Sequence, residues 1–267
     1  MRKVELSAVK PRVLLTNDDG IEAPGLESLA QAVAAAGWEA LVAAPDGERS
    51  ASSHSMSLRK PLRVMAAGPN RFAVSGTPAD TVNIALNHLF RDHPPKLVVS
   101  GVNKGANLAC DVNYSGTVAA AREGLMLGVP SFAVSLNSHR PEADFGPSCR
   151  VALFISRLIL EHGLPPRTFL NVNLPDLPSS EIKGLKTTIQ GKRRYENVIH
   201  VRDDPFGEKY YWVGGQPHGG EPIPDSDIVA VEAGFVSVTP LRLDLTERHA
   251  LAWLAERLGQ GDPQPWT

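Results

Sequence analysis

The fold is decided by a stretch near the start of the chain, Val13-Leu14-Leu15-Thr16-Asn17-Asp18-Asp19-Gly20. A short apolar run followed by turn residues predicts a strand buried on both faces, ending in a loop at the Asn, Asp and Gly residues. Two adjacent carboxylates repel unless a cation or a proton lies between them. A turn with solvated acids is the commoner fate of Asp-Asp-Gly, but open α/β sheets bind their ligands at such strand ends, which favours a site here.

The residues after the acid pair predict a helix and a second strand. Pro24 suits a first helical turn, an apolar i, i+3, i+4, i+7 stripe begins at Leu26, and Gly37 ends the helix. Residues 40–44 then form a second apolar run. Strand, helix and strand at this spacing predict a βαβ unit with parallel strands.

The same alternation continues to about residue 178. Further strands are predicted at 97–100, 131–136 and 169–174, and helices at Thr77-Pro78 onward, at Ser115-Gly116-Thr117 through Leu127, and around 151–158. This order predicts an α/β fold with a doubly wound, Rossmann-like parallel sheet as the catalytic core, residues 11–178.

The pattern changes in residues 179–267, which we interpret as a C-terminal extension. Residues 192–215 carry three tyrosines and a tryptophan around Asp204-Pro205-Phe206-Gly207 and predict a hairpin arm. A strand is predicted at 234–239, followed by a terminal helix capped by Thr246. A hairpin with so little core of its own would be stabilised best by packing on a neighbouring subunit.

Composition limits the class of partner and the compartment. The chain has 267 residues with a formal net charge of −2, and 42% are hydrophobic. This balance argues against binding to nucleic-acid polymers, although not to small phosphorylated ligands. Cys110 and Cys149 form no CxxC pattern, which favours a reducing compartment. The sequence shows neither a signal peptide nor an apolar run that could span a membrane, so a cytoplasmic location is predicted.

Three predicted strand-end loops, residues 17–20, 50–57 and 101–107, point to one edge of the sheet. Their donors are carboxylate, hydroxyl and amide oxygens, which suit Mg²⁺, Mn²⁺ or Ca²⁺ better than zinc. The helix that opens at Ser115-Gly116-Thr117 offers free N–H groups to a phosphate. A cation beside a phosphate seat indicates phosphoryl chemistry. Neither a P-loop nor a GxGxxG motif after the first strand is present.

At this point the chain resembles the SurE family. The resemblance rests on six motifs in order along the chain: TNDDG (16–20), APDGERSASSHS (44–55), GTPADTV (76–82), SGVNKGAN (100–107), YSGTVAAAREG (114–124) and FGEKYYW (206–212). It implies a metal-dependent nucleotidase that releases phosphate from nucleoside 5'- and 3'-monophosphates, with some activity on short polyphosphate. It also implies a homodimer with exchanged C-terminal segments, or a homotetramer that uses the hairpin arm.

The resemblance also implies roles for individual residues. One divalent cation, Mg²⁺ or Mn²⁺, would be bound by Asp18, Asp19, Ser50 and Asn103, the two aspartates being catalytic. The phosphate would be bound by Asn107, Ser115, Gly116 and Thr117. We add His54 as a candidate proton donor to the leaving alkoxide, although a lone histidine in a serine-rich loop is more often a hydrogen-bonding partner.

Two other readings stay open. A metal-dependent hydrolase of amides or acetyl groups would use a similar sheet, but such sites usually add histidine ligands, which this pattern lacks. A nucleotide-binding module without catalysis is the third reading, and tight nucleotide binding without phosphate release would favour it.

Overall fold

A computed structural model of the chain describes residues 10–195, 198–214 and 217–259. The strands are β1 (Arg12–Thr16), β2 (Glu39–Pro45), β3 (Val64–Gly68), β4 (Arg71–Val74), β5 (Leu97–Lys104), β6 (Ser131–Asn137), β7 (Thr168–Pro175), β8 (Leu185–Thr187), β9 (Arg193–Tyr195), β10 (Val198–Asp203), β11 (Lys209–Gly214), β12 (Pro217–Gly220) and β13 (Val236–Arg242). The α-helices are α1 (Pro24–Ala35), α2 (Pro78–Ile84), α3 (Gly116–Met126), α4 (Gly146–His162), α5 (Asp227–Glu232) and α6 (Arg248–Gly259). A π-helical turn (Ala85–Leu89) follows α2, and a 3-10 turn (Ala109–Asn113) precedes α3.

One sheet dominates the structure, with strand order β3-β4-β2-β1-β5-β6-β7-β13-β8. The strands from β4 to β7 are parallel to their neighbours, whereas β3 is antiparallel to β4 and β13 is antiparallel to β7. Helices cover both faces, because α1 packs with α4 while α2 packs with α3. The predicted α/β fold with a mostly parallel, Rossmann-like sheet is confirmed.

The opening strand β1 is buried on both faces, as its apolar run predicts. Val13 and Leu15 belong to the core cluster under α1 and α4, and Leu14 belongs to the cluster under α2 and α3. All three side chains have no solvent-exposed surface. The alternation of side chains along a strand therefore serves two cores at once.

The strand order places a topological switch point between β1 and β5. From β1 the chain moves to β2 and β4 on one side, and it then returns to β5 and continues to β6 and β7 on the other. The loops after β1 and β5 therefore diverge and leave a crevice at the carboxyl ends of these strands, the usual ligand position in this class of sheet. Asp18 and Asp19 follow β1, and Asn103 lies at the end of β5.

Local signals at two helix starts are confirmed. Thr77 and Asp80 form a capping box at α2, with the Thr77 hydroxyl accepting from the Asp80 N–H and the Asp80 carboxylate accepting from the Thr77 N–H. The Ser115 hydroxyl accepts from the Val118 N–H at 3.1 Å and so caps α3.

The region after residue 178 is partly as predicted. A hairpin is present as β10 and β11, with residues 204–208 as its loop. The predicted strand at 234–239 is β13, which joins the main sheet together with β8, and the terminal helix α6 begins two residues after Thr246. The division into domains at residue 178 stays a prediction. Within the described residues, none of the helices is long and apolar enough to cross a membrane.

Candidate metal and phosphate site

A cleft of about 1620 Å³ opens at the carboxyl ends of β1, β2 and β5. Six of the predicted site residues line it: Asp18, Asp19, Ser50, Asn103, Asn107 and Ser115. The expectation that loops after separate strands meet at one edge is therefore correct. Gly116, Thr117 and His54 do not line the cleft, but they contact residues around it, as described below.

Asp18 is fixed at the floor of the cleft. Its side chain is buried, and Oδ1 accepts a short hydrogen bond from the Thr117 hydroxyl. The Asp18 carbonyl accepts from the Arg49 N–H at 2.7 Å, which joins the loop after β1 to the loop after β2. Burial raises the pKa of Asp18, and the hydrogen bond from Thr117 opposes that shift.

Asp19 lies beside Asp18 and is more accessible. Burial and the neighbouring charge of Asp18 together raise the pKa of Asp19 to about 6, while the backbone N–H and the charge of Lys104 oppose the shift. Two ionised carboxylates that lie close together with little solvent repel each other and lose hydration energy. A cation bound between them would offset this electrostatic cost.

Helix α3 begins directly against Asp18. A Cβ atom placed on Gly116 would lie 2.7 Å from Asp18 Cβ and 2.9 Å from Asp18 Oδ2, so only glycine fits at this position. The same point is 2.9 Å from the Ser52 hydroxyl, which is buried and has no hydrogen-bond partner among the described residues. The start of the helix therefore packs closely against both a carboxylate oxygen and an orphaned hydroxyl.

The serine-rich loop after β2 is held against the residues that precede α3. The Ser53 N–H donates to the Tyr114 carbonyl at 3.0 Å, and the Ser53 hydroxyl donates to the Asn113 carbonyl at 2.7 Å. Ser50 projects into the cleft, where its hydroxyl donates to Glu48 Oε1 at 2.8 Å. The loop is thus anchored at its centre, while Ser50 stays at the cleft surface.

The two asparagines after β5 have different surroundings. Asn103 donates from Nδ2 to the Gly105 carbonyl at 2.7 Å. This bond uses the amide nitrogen, and the amide oxygen Oδ1 is on the other side of the amide group. Asn107 is buried, donating from Nδ2 to the Ser135 hydroxyl at 2.9 Å and from its N–H to Asn173 Oδ1 at 2.8 Å. The ends of β6 and β7 therefore hold Asn107 in place at the cleft wall.

His54 is bonded to a partner that the sequence did not reveal. Its Nε2 lies 2.8 Å from Glu123 Oε2, and Asn83 donates to the other oxygen of Glu123 at 2.9 Å. Burial favours the neutral form of Glu123, but the hydrogen bonds from His54 and Asn83 outweigh it and lower the pKa of this carboxyl group. Glu123 is the one acidic residue in the sequence of α3, which consists mostly of small and apolar residues. Its presence was the sequence feature that could have indicated a buried polar partner for His54.

The donor set fits a hard divalent cation. No group of three or more His, Cys, Asp or Glu side chains is arranged to hold a metal in the described part of the chain. A cation in this cleft would therefore combine the two aspartates with hydroxyl and amide oxygens, such as those of Ser50 and Asn103. An all-oxygen set suits Mg²⁺ or Mn²⁺ rather than zinc.

Fold and cleft together define a Rossmann-like α/β protein with an acidic site at its topological switch point. The family model described as survival protein SurE matches residues 13–197. The chain belongs to the SurE family.

Relatives and a solved structure agree over most of the chain. A protein named 5'-nucleotidase SurE from Geotalea daltonii is 47% identical over 243 residues, which are 91% of this chain and 97% of the relative. The protein of the same name from Myxococcus xanthus is 46% identical over 257 residues, covering 94% and 97% of the two chains. The crystal structure of the SurE protein from Aquifex aeolicus superposes with a TM-score of 0.83 at 39% identity, covering 92% of this chain and 99% of the other.

Proposed function

We propose that this protein is a metal-dependent nucleotidase that hydrolyses nucleoside 5'-monophosphates to nucleoside and phosphate. The names of the relatives support the substrate class, since those quoted above are called 5'-nucleotidase. The observation that carries the chemistry is the contact of α3 with Asp18, in which the Thr117 hydroxyl donates to the carboxylate and the absence of a side chain at Gly116 lets the helix start approach it closely. A phosphate seated at this helix start would lie next to the acid pair.

In this proposal Asp18, Asp19, Ser50 and Asn103 hold one Mg²⁺ or Mn²⁺. When bound, the cation supplies polarisation of the phosphoryl group and a lower pKa for an attacking water. Asp18 and Asp19 provide the charge that retains it. The Thr117 hydroxyl fixes the orientation of Asp18 by donating to Oδ1.

The phosphate is assigned to the start of α3 and to Asn107. The N–H groups of Gly116 and Thr117 and the Ser115 hydroxyl would bind its oxygens, because the first N–H groups of a helix have no partners inside it. The Val118 N–H already donates to the Ser115 hydroxyl. Water attacks phosphorus, the ester P–O bond breaks, and the leaving alkoxide takes a proton. We assign that proton to Nδ1 of His54, since Nε2 is bonded to Glu123.

The finer substrate range and the assembly are also proposals. We include nucleoside 3'-monophosphates and short polyphosphate, because the binding groups proposed above would contact the phosphate rather than a particular sugar position. We propose a homodimer or homotetramer, supported by four apolar side chains that share one face of the β10–β11 hairpin and are each more than half exposed: Ile199, Val201, Tyr211 and Val213.

Phosphate release from a panel of nucleotides, with EDTA and with each divalent metal in turn, tests the proposal. We expect release from nucleoside monophosphates that EDTA abolishes and Mn²⁺ or Mg²⁺ restores. Asp18→Asn and Asp19→Asn should lower turnover by about 1,000-fold or more without loss of the fold, because they remove the ligand charge. Release that resists chelation, full activity in either variant, or release of acetate from acetylated substrates with no phosphate from any nucleotide would contradict the proposal.

A further inference from the structure

The cleft carries more acidic than basic side chains, which would disfavour the binding of an anionic substrate. The acidic residues that line it are Asp18, Asp19, Glu48, Asp111, Glu142 and Asp144, and the basic residues are Lys104 and Arg150. A phosphate monoester carries a charge of about −1.5 to −2 at neutral pH. Even with a divalent cation present, a substrate phosphate would meet an excess of negative charge, so a positive side chain near the acid pair would favour its binding.

Lys104 is the basic residue whose position is tied to the acid pair. It follows Asn103 directly in β5, and both its charge and its backbone N–H lower the pKa of Asp19. By contrast, Arg150 lies on α4, where its guanidinium donates to the Ser179 hydroxyl. Its place at the end of β5, in the wall of the same cleft as the two aspartates, puts the start of the Lys104 side chain near the acid pair.

The ammonium of Lys104 has only a weak contact in the described structure. Nζ donates to the Pro141 carbonyl at 3.3 Å, and it forms no ion pair with any residue within the described ranges. The residue is exposed and lines the cleft. A lysine side chain has a flexible four-carbon stem, so it can leave a neutral carbonyl and follow an anion.

We propose that Lys104 is a substrate-binding residue that donates to the phosphate of the nucleotide from the side of the cleft opposite α3. The proposal rests on the nucleotidase function proposed above and extends it to a residue outside the metal and phosphate sets already assigned. Lysine is a common phosphate ligand because it acts as a mobile point charge. Removing the charge should weaken substrate binding. The ammonium charge also lowers the pKa of Asp19, so the chemical step is expected to stay nearly unchanged when saturating Mn²⁺ keeps that carboxylate ionised.

A different role must be separated from this one. The bond from Nζ to Pro141 connects the loop after β5 to the loop after β6, so Lys104 could act only as a structural tie. Three variants distinguish the two roles. Lys104→Arg keeps the charge, Lys104→Gln keeps an N–H donor without the charge, and Lys104→Met keeps neither.

A matched control lies at the other end of the same strand. Lys96 directly precedes β5 and is also exposed, but it lies far from the carboxyl ends of the strands that form the cleft. Lys96→Gln therefore makes the same change in net charge at a distance from the site. All variants are compared in the full-length protein with Mn²⁺ at saturation.

Two measurements are made on each variant. The first is KM and kcat for a nucleoside monophosphate. The second is the Kd of inorganic phosphate by isothermal titration calorimetry, which requires no turnover. For Lys104→Gln and Lys104→Met we expect KM and the phosphate Kd to rise about 10-fold, with kcat within about threefold, the effect of losing one hydrogen bond to a charged group. Lys104→Arg and Lys96→Gln should resemble the wild type.

Several results would overturn the inference. A wild-type phosphate Kd in Lys104→Gln together with a defect in Lys104→Met would show a structural tie. Unchanged phosphate binding in all three variants, or an equal loss in Lys96→Gln, would also contradict it. An inactive wild type that binds phosphate through Lys104 would refute the nucleotidase function alone, whereas an active wild type with unchanged Lys104 variants would refute this inference alone.

Discussion

The Thr117 hydroxyl donates a hydrogen bond to Oδ1 of Asp18, a residue 99 positions earlier in the chain. This bond joins the first turn of α3 to the end of β1, on the two sides of the switch point in the sheet. The carboxylate is therefore positioned by the same helix start that is proposed to seat the phosphate. Geometry at this junction should matter more to activity than to folding.

Gly116→Ala tests that junction. The added methyl group would lie 2.7 Å from Asp18 Cβ and 2.9 Å from the Ser52 hydroxyl, so the helix and the carboxylate must move apart. Overpacking of this kind costs about 1–3 kcal/mol of folding stability. We expect kcat/KM for a nucleoside monophosphate to fall by about 100-fold, because a misplacement of about 1 Å has that effect in active sites.

Gly47→Ala is the control for this change. Gly47 lies in the neighbouring loop, and a Cβ atom there would meet no atom within 4 Å. Its activity and melting temperature should match the wild type. Wild-type kinetics in Gly116→Ala would mean that the closeness of α3 to Asp18 has no part in catalysis.

The sequence was sufficient where signals are local. The apolar run of β1, the helix starts at Thr77-Pro78 and at Ser115-Gly116-Thr117, and the place of the acid pair after the first strand all follow from residues within one element, and they are present as predicted. The meeting of three loops at one edge followed from the general geometry of parallel sheets.

Other features depend on contacts that no local pattern reveals. The strand β3 has the sequence VMAAG, in which apolar and polar residues do not alternate, and it is exposed along its whole length. Its sequence therefore lacks the period-2 pattern that predicts a half-buried strand. The partners His54 and Glu123 are 69 positions apart, and their contact arises only when the loop after β2 reaches α3. The orphaned hydroxyl of Ser52 is likewise a consequence of packing, since its sequence context does not distinguish it from the other serines of the loop.

The difference in folding stability between the wild type and Glu123→Gln should depend on pH. The pKa of Glu123 is lowered in the folded protein, since the hydrogen bonds from His54 and Asn83 outweigh the effect of burial. A lowered carboxyl pKa stabilises the fold above the ordinary glutamate value of about 4.3, and this contribution is lost as the pH falls through the folded-state pKa. Near neutral pH we expect the free energy of unfolding of the wild type to be about 2 kcal/mol larger than that of Glu123→Gln, the usual value of a hydrogen bond to a charged group.

Thermal unfolding of both proteins from about pH 7 to about pH 3 measures this difference, which should shrink on the acid side of the ordinary glutamate value. Glu161→Gln, at an exposed position near the end of α4, is the control and should track the wild type at every pH. A gap between wild type and Glu123→Gln that does not change with pH would contradict the assignment.

The assembly can be tested on one face of the hairpin. Ile199 pairs with Val213 across β10 and β11, and the two side chains are 60% and 89% exposed. Since successive residues of a strand point to opposite faces, His200 lies on the other side. We expect Ile199→Glu to lower the molar mass seen by light scattering after gel filtration, because it puts a charge in an apolar contact.

His200→Glu introduces the same charge on the opposite face and should keep the wild-type mass. A wild type that is monomeric at every concentration would refute the proposed homo-oligomer. Equal masses for the wild type and Ile199→Glu would place the contact between subunits elsewhere on the chain.

The role of His54 can be separated from a purely structural one by the choice of leaving group. A nucleoside alkoxide needs a proton as the ester bond breaks, whereas p-nitrophenolate leaves without one. If His54 donates that proton, His54→Gln should lower kcat for a nucleoside monophosphate by about 100-fold, within the usual range for general acid catalysis. The rate on p-nitrophenyl phosphate should then change by less than about threefold, because the acid pair and the start of α3 are intact. The glutamine amide nitrogen can take the place of Nε2 and donate to Glu123, so the loop after β2 keeps an anchor on α3. Equal losses on both substrates would instead show that His54 holds the loop in place and transfers no proton.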